Sequence, residues 1–114
     1  MIAVIFEVYP TREGKDEYLA IAAALRELLA DHPGFISIDR FQSLSDENKL
    51  LSVSYWEDEA AVQAWRNVAE HRLAQKQGKT KLFRDYRILV ADVLRDYSAE
   101  HRTQAPADSN AALV

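Results

Sequence analysis

The stretch WRNVAEHRLAQ, residues 65–75, gathers the side chains of this chain with the most capacity for chemistry. Trp65, Arg66, His71 and Arg72 fall within eight residues, and the run leads into a basic segment around Gly78. Such a helix reads either as an ordinary packing surface or as one wall of a pocket for a flat anion. Projected at ~100° per residue, Trp65 centres an arc of Ala61, Val62, Val68, Ala69 and Leu73, which is core amphipathicity. Arg72 and Lys76 project into the middle of that arc, and His71 lies on its edge, stacked with Val68 and Gln75 at helical spacings. An unpaired guanidinium in a packed core is expensive. The pattern predicts either that the helix unwinds near residue 70 or that a cleft for an anionic ligand lies beneath Arg72.

The charge distribution points the same way. Net charge is −4, yet residues 66–87 carry 7 Lys and Arg against only Glu70 and Asp85, while residues 1–65 carry 5 against 12 acidic groups. Cations are favourable near a helix C-terminus in any case; the alternative is a local anion site on an acidic protein. Glu7 is the odd residue of an apolar segment, either a general base with its pKa raised by burial or the partner of an arginine. His32 precedes Pro33 at a helix end, where it reads as a cap, and His101 lies in the tail. The three histidines are too scattered for a self-contained zinc site. With no cysteine, disulfides, iron–sulfur clusters and thiol nucleophiles are excluded. No Walker, nucleophile-elbow, flavin or nicotinamide motif is present. The third strand, KLLSVSYW, lacks the aromatic-basic signature of an RNA-recognition strand, so no nucleic-acid partner is expected.

The elements that must hold these residues follow from periodicity. Ile2–Tyr9 is a strand rich in β-branched and aromatic residues, stopped by Pro10. Ile2, Val4, Phe6 and Val8 share one face, and Ala3, Ile5, Glu7 and Tyr9 the other. Residues 12–31 form a helix with Tyr18, Ala22, Leu25 and Leu29 on one stripe and Leu28 beside it, ended by Pro33 and Gly34. Phe35–Leu44 and Lys49–Trp56 read as a hairpin around SDEN. Asp58 caps a second helix running to about Gln77. Residues 79–85 are irregular, and Tyr86–Asp96 is the last strand, with Ile88, Val90 and Leu94 on one face and Leu89, Ala91 and Val93 on the other. The tail from Tyr97 is polar and aperiodic, an extension or arm.

This order predicts an α+β fold, a ferredoxin-like βαββαβ sandwich over residues 1–97, with residues 98–114 as a tail. The sheet face away from the helices is too apolar for water, so a homodimer is expected, two sheets packed face to face as a dimeric α/β barrel. No apolar run approaches the ~20 residues needed to span a bilayer, and the N-terminus has no basic region before its apolar run. A cytoplasmic protein without a membrane partner is the expectation.

The first strand ending in Y-P, GFIS opening the second, and LLSVSYWEDEAAVQAWRN followed by EHRLAQ and FRDYRI resemble the antibiotic biosynthesis monooxygenase (ABM) superfamily. Among its branches they look most like bacterial heme-degrading monooxygenases of the IsdG/HmuQ type. The resemblance implies a dimeric α/β barrel with a pocket between helices and sheet in each protomer. It also implies heme as substrate and cofactor, opened by O2 with an external reductase or ascorbate-like electron donor. Trp65 matches the family's tryptophan on the second helix. The best-known members place their heme-ligating histidine ten residues later, where this chain has Gln75; its own histidine, His71, stands six after Trp65. Their strand-one asparagine aligns nearest to Glu7. On this reading His71, Trp65 and Glu7 are catalytic, His71 ligates the heme iron, and Arg66 and Arg72 meet the propionates. Gln75 and Phe83 then complete the cofactor pocket, with Phe83 keeping it apolar. Two alternatives stand beside it. One is a cofactor-independent monooxygenase that oxidises a small phenolic or aromatic substrate to a quinone, beginning with its deprotonation. The other is a non-catalytic dimeric binding module.

Overall fold

A computed structural model describes residues 1–77 and 81–113, with side chains for all of these except 70–77. The chain forms β1 (Ile2–Pro10), α1 (Lys15–Leu29), β2 (Phe35–Gln42), β3 (Leu50–Trp56), α2 (Glu59–Gln77), β4 (Phe83–Asp92) and a short α3 (Ala107–Ala112). The four strands make one antiparallel sheet in the order β2-β3-β1-β4. With the two long crossover helices, this is the expected ferredoxin-like α+β fold.

The alternation of β1 decides which side the helices cover. Phe6 and Val8 pack with Tyr18, Leu82 and Phe83, while Ile2 and Val4 pack with Leu29, Trp56 and Val62. Both clusters lie on the same side of the sheet, because residues two apart in a strand share a face. On α1 the buried positions are Tyr18, Ala22, Leu25 and Leu29, the stripe expected from spacing. Leu28, placed beside that stripe by the sequence, is 46% exposed. The helix is also shorter than residues 12–31. Thr11 turns back instead, its hydroxyl donating to the Lys81 carbonyl and accepting from the Gly14 amide at 2.9 Å.

Two turn residues tie the layers together. Gly34 has φ of +82°, and a Cβ placed there would lie 2.5 Å from the Ala61 Cβ, so the α1–β2 turn rests directly on α2. Beside it His32 Nε2 meets the Ala61 carbonyl at 3.2 Å. Asp58 caps α2 as predicted, its Oδ1 accepting from the Ala61 amide at 2.9 Å.

β4 begins at Phe83, three residues earlier than the sequence pattern gives, and ends at Asp92 rather than Asp96. The early start is a pairing effect: after an irregularity between Tyr9 and Pro10, Pro10 faces Phe83, and the Thr11 amide donates to the Leu82 carbonyl at 2.8 Å. The tail is more ordered than its composition implies. Arg102 bonds to Asn110 Oδ1, Ser109 Oγ and the Ser98 carbonyl, and the guanidinium lies over the Tyr97 ring. The chain measures 56 × 35 × 19 Å with a radius of gyration of 16.7 Å, against about 13 Å for a compact domain of this length.

Candidate active site

The two buried clusters sit toward opposite ends of the helix-covered face, one around Tyr18 and Phe83, the other around Leu29, Trp56 and Val62. Between them the layers do not close. The gap is a cavity of about 660 Å³, bounded by α1, α2 and all four strands. That size is within the range of pockets for small organic ligands.

Its walls are aromatic and aliphatic. Phe6 and Phe83 meet edge to face at 6.0 Å, and Trp56 and Trp65 lie 6.4 Å apart at the other end. The His32 ring stands edge-on to both tryptophans. Trp56 is 1% exposed and donates from Nε1 to Ser54 Oγ at 2.9 Å. One side stays open along edge strand β4, where Tyr86, Ile88 and Val90 face the cavity yet remain about half exposed. Exposed Arg66 also lines the cavity from α2.

Few polar groups converge here. Ser52 and Ser54 are buried on β3. Arg40 enters from β2 opposite Ser52, and Tyr18 from α1. Burial pushes the Tyr18 phenol above its ordinary value, and the Arg40 guanidinium opposes this only in part, so the hydroxyl is protonated at neutral pH and can donate.

The structure separates the residues singled out by the sequence. Trp65, Arg66 and Phe83 all line the cavity. On α2 the stripe that does so is Val62, Trp65, Arg66 and Ala69, at spacings of three and four. Val68, placed in the apolar arc by the projection, is 40% exposed. The helix does not unwind near residue 70, since α2 continues to Gln77. The side chains of His71, Arg72, Gln75 and Lys76 lie outside the described residues.

Glu7 requires a correction. Alternation puts it on the opposite face of the sheet, where Arg87 Nε and Nη2 donate to its two oxygens at 2.9 and 3.1 Å, with Lys49 at 3.8 Å. Hydrogen bonds from Arg87 hold its carboxyl below the usual range, with Arg87 and Lys49 charge adding to this against a smaller effect of burial. It is an arginine's partner, not a base with a raised pKa, and it does not reach the cavity. Sequence reasoning missed Arg40. In FISIDRFQ apolar residues fall on both faces, and the register shift between Phe35 and Ser37 obscures which one turns inward.

A family model described as antibiotic biosynthesis monooxygenase matches residues 1–77. The chain belongs to this family. A jasmonate monooxygenase of Pyricularia oryzae is 43% identical over 93 residues, covering 82% of this chain and 43% of that protein. The chain thus spans less than half of that relative. The uncharacterised protein YqjZ of Bacillus subtilis is 30% identical over 101 residues, covering 89% of this chain and 86% of that one. The fold matches that of a mutant of SnoaB from Streptomyces nogalater, described as a cofactor-independent oxygenase. Here the TM-score is 0.68 at 11% identity, covering 83% of this chain and 94% of the other.

None of these three is named as a heme-degrading enzyme. The described cavity lining supplies aromatic walls for a macrocycle but no histidine for its iron, the ring of His32 being held between the tryptophans. Among the described residues no three His, Cys, Asp or Glu side chains could hold a metal ion. Among them, too, no helix is long and apolar enough to cross a membrane.

Proposed function

We propose that this ABM protein oxidises a small, largely apolar substrate with O2, the substrate itself supplying the electrons. The observation that carries this reading is the apolar cavity of about 660 Å³ with a few converging polar groups and a positively charged described lining. Such a lining favours the anionic form of a bound molecule, and a deprotonated phenol or activated C–H is electron-rich enough to react with O2. For a phenol the balance is substrate plus O2 giving quinone plus water. One oxygen atom bonds to a ring carbon, the O–O bond breaks, and the other atom leaves as water with both substrate hydrogens. The names of the jasmonate monooxygenase relative and of the cofactor-independent oxygenase with this fold support a small-molecule oxygenase. The test is O2 uptake by the purified protein with a panel of phenols and anthrones, in the presence of a chelator. Uptake with a single 18O atom in the product is expected. No uptake without hemin, together with stoichiometric hemin binding and loss of the Soret band under ascorbate and O2, would overturn it in favour of heme degradation.

The same reading includes a homodimer. Ile5, Val53 and Leu89 stand side by side in the register of the outer sheet face. Leu94 and Leu113, in the segment after β4, are 82% and 66% exposed. A second copy of the chain would cover both. Light scattering should give twice the 13.0 kDa chain mass, and Val53→Lys should halve it; a monomeric wild type would refute the pairing.

A further inference from the structure

The described cavity lining carries two guanidinium groups and no carboxylate. Their settings differ. Arg66 is exposed, so water already solvates it. Arg40 is half-buried, and its Nε is shut off from solvent without a hydrogen-bond partner. Among the described residues no acidic side chain pairs with Arg40, the ion pairs being those of Glu7 with Lys49 and Arg87. Arginine stays charged inside proteins, and a buried charge is costly unless an opposite charge or acceptors offset it. The neighbouring Tyr18 phenol is pushed above its ordinary value by burial, against the opposing Arg40 guanidinium, so its hydroxyl keeps its proton and can donate to a ligand held there.

We infer that Arg40, with the Tyr18 hydroxyl, binds a carboxylate carried by the otherwise apolar substrate. The inference rests on the small-molecule reading above and names the substrate class within it. A guanidinium that is charged throughout the cycle calls for a counter-charge that is also always present, which a carboxylate is at neutral pH and a phenol is not. The planar fork of arginine matches two carboxylate oxygens, and Tyr18 adds a third donor. The apolar body of the same molecule then lies against Phe6, Phe83, Trp56 and Trp65. Arg40 thereby selects apolar acids over their neutral analogues.

The chain has two tryptophans, Trp56 and Trp65, and both line the cavity, so its tryptophan emission reports on occupancy. The experiment titrates the full chain with 2-naphthoate, 2-naphthamide and 2-naphthol at pH 7. The acid should bind roughly tenfold or more tightly than the amide, as expected for hydrogen bonds to a charged group. Arg40→Gln should erase that preference, Arg40→Lys should keep part of it, and Tyr18→Phe should weaken acid binding severalfold. Equal affinities of acid and amide for the wild type, or a preference that survives Arg40→Gln, would overturn the inference while leaving the small-molecule cavity standing. Naphthol binding tightest of the three, ionised when bound and losing this in Arg40→Gln, would assign Arg40 to a phenolate and overturn the carboxylate. No response to any of the three at millimolar concentration would overturn both readings together.

Discussion

Replacing Ala69 by phenylalanine tests whether the space between the helices is open in solution. Ala69 lies on α2 one turn beyond Trp65 and Arg66, partly exposed and facing the cavity. In a close-packed core the added ring would cost about 1–3 kcal/mol through strain. Against an open apolar wall the sign reverses. A phenyl group seated there removes roughly 100 Å² from water, less than the ~150–250 Å² of a fully buried aromatic side chain. At ~25 cal/mol per Å² that is about 2.5 kcal/mol. Poorer helix propensity returns about 0.5 kcal/mol, and ordering the ring up to about 1 kcal/mol. The net stabilisation is about 1 kcal/mol, a rise of roughly 3–6 °C in Tm for a domain of this size. Thermal unfolding followed by circular dichroism measures it, and 2-naphthoate titration of the same variant should show at least a roughly tenfold loss of affinity. A fall in Tm of several degrees, or unchanged ligand affinity, would show that the cavity is not the open, ligand-accessible space described here.

Three further outcomes follow from the same geometry. Glu7→Gln should leave oxygenase activity unchanged, because Glu7 lies on the far face of the sheet. It should also lower the urea midpoint at pH 7. Since the folded-state pKa of Glu7 is depressed, its contribution is present above the ordinary value of 4.5 and disappears as pH falls through the folded pKa; the two midpoints should therefore converge in acid. Gly34→Ala should cost about 1–3 kcal/mol in urea unfolding, because φ is +82° and the new Cβ would meet Ala61; a neutral effect would contradict the close approach. Trp56→Phe should cost about 1–3 kcal/mol, since it strands the buried Ser54 hydroxyl. A double-mutant cycle with Ser54→Ala that shows no coupling would refute that hydrogen bond.

Much of the scaffold was legible because its signals are local. The α1 stripe, the Asp58 cap and the alternation of β1 each depend on residues within a turn or two of one another, where backbone geometry alone dictates the spacing. The start of β4 was not legible. Phe83-Arg84-Asp85 has little strand character of its own, and its pairing comes from Pro10 and Tyr9 on a strand distant in sequence. At the site, the sequence picked out Trp65, Arg66 and Phe83 from their types, and these line the cavity. It offered two roles for Glu7, and only the arginine at the facing register position distinguishes them.

The sequence by itself therefore determined the element order, the amphipathic faces and the family, since these are written in short-range periodicity and in motifs read residue by residue. Only the tertiary structure decided where the chain leaves space. The cavity exists because the cluster around Tyr18 and Phe83 and the cluster around Leu29 and Trp56 hold the layers together at two ends without filling the middle. No single segment encodes that gap. The same is true of Arg40: its neighbours on β2 do not mark it, and its significance comes from facing a described lining that contains no counter-charge.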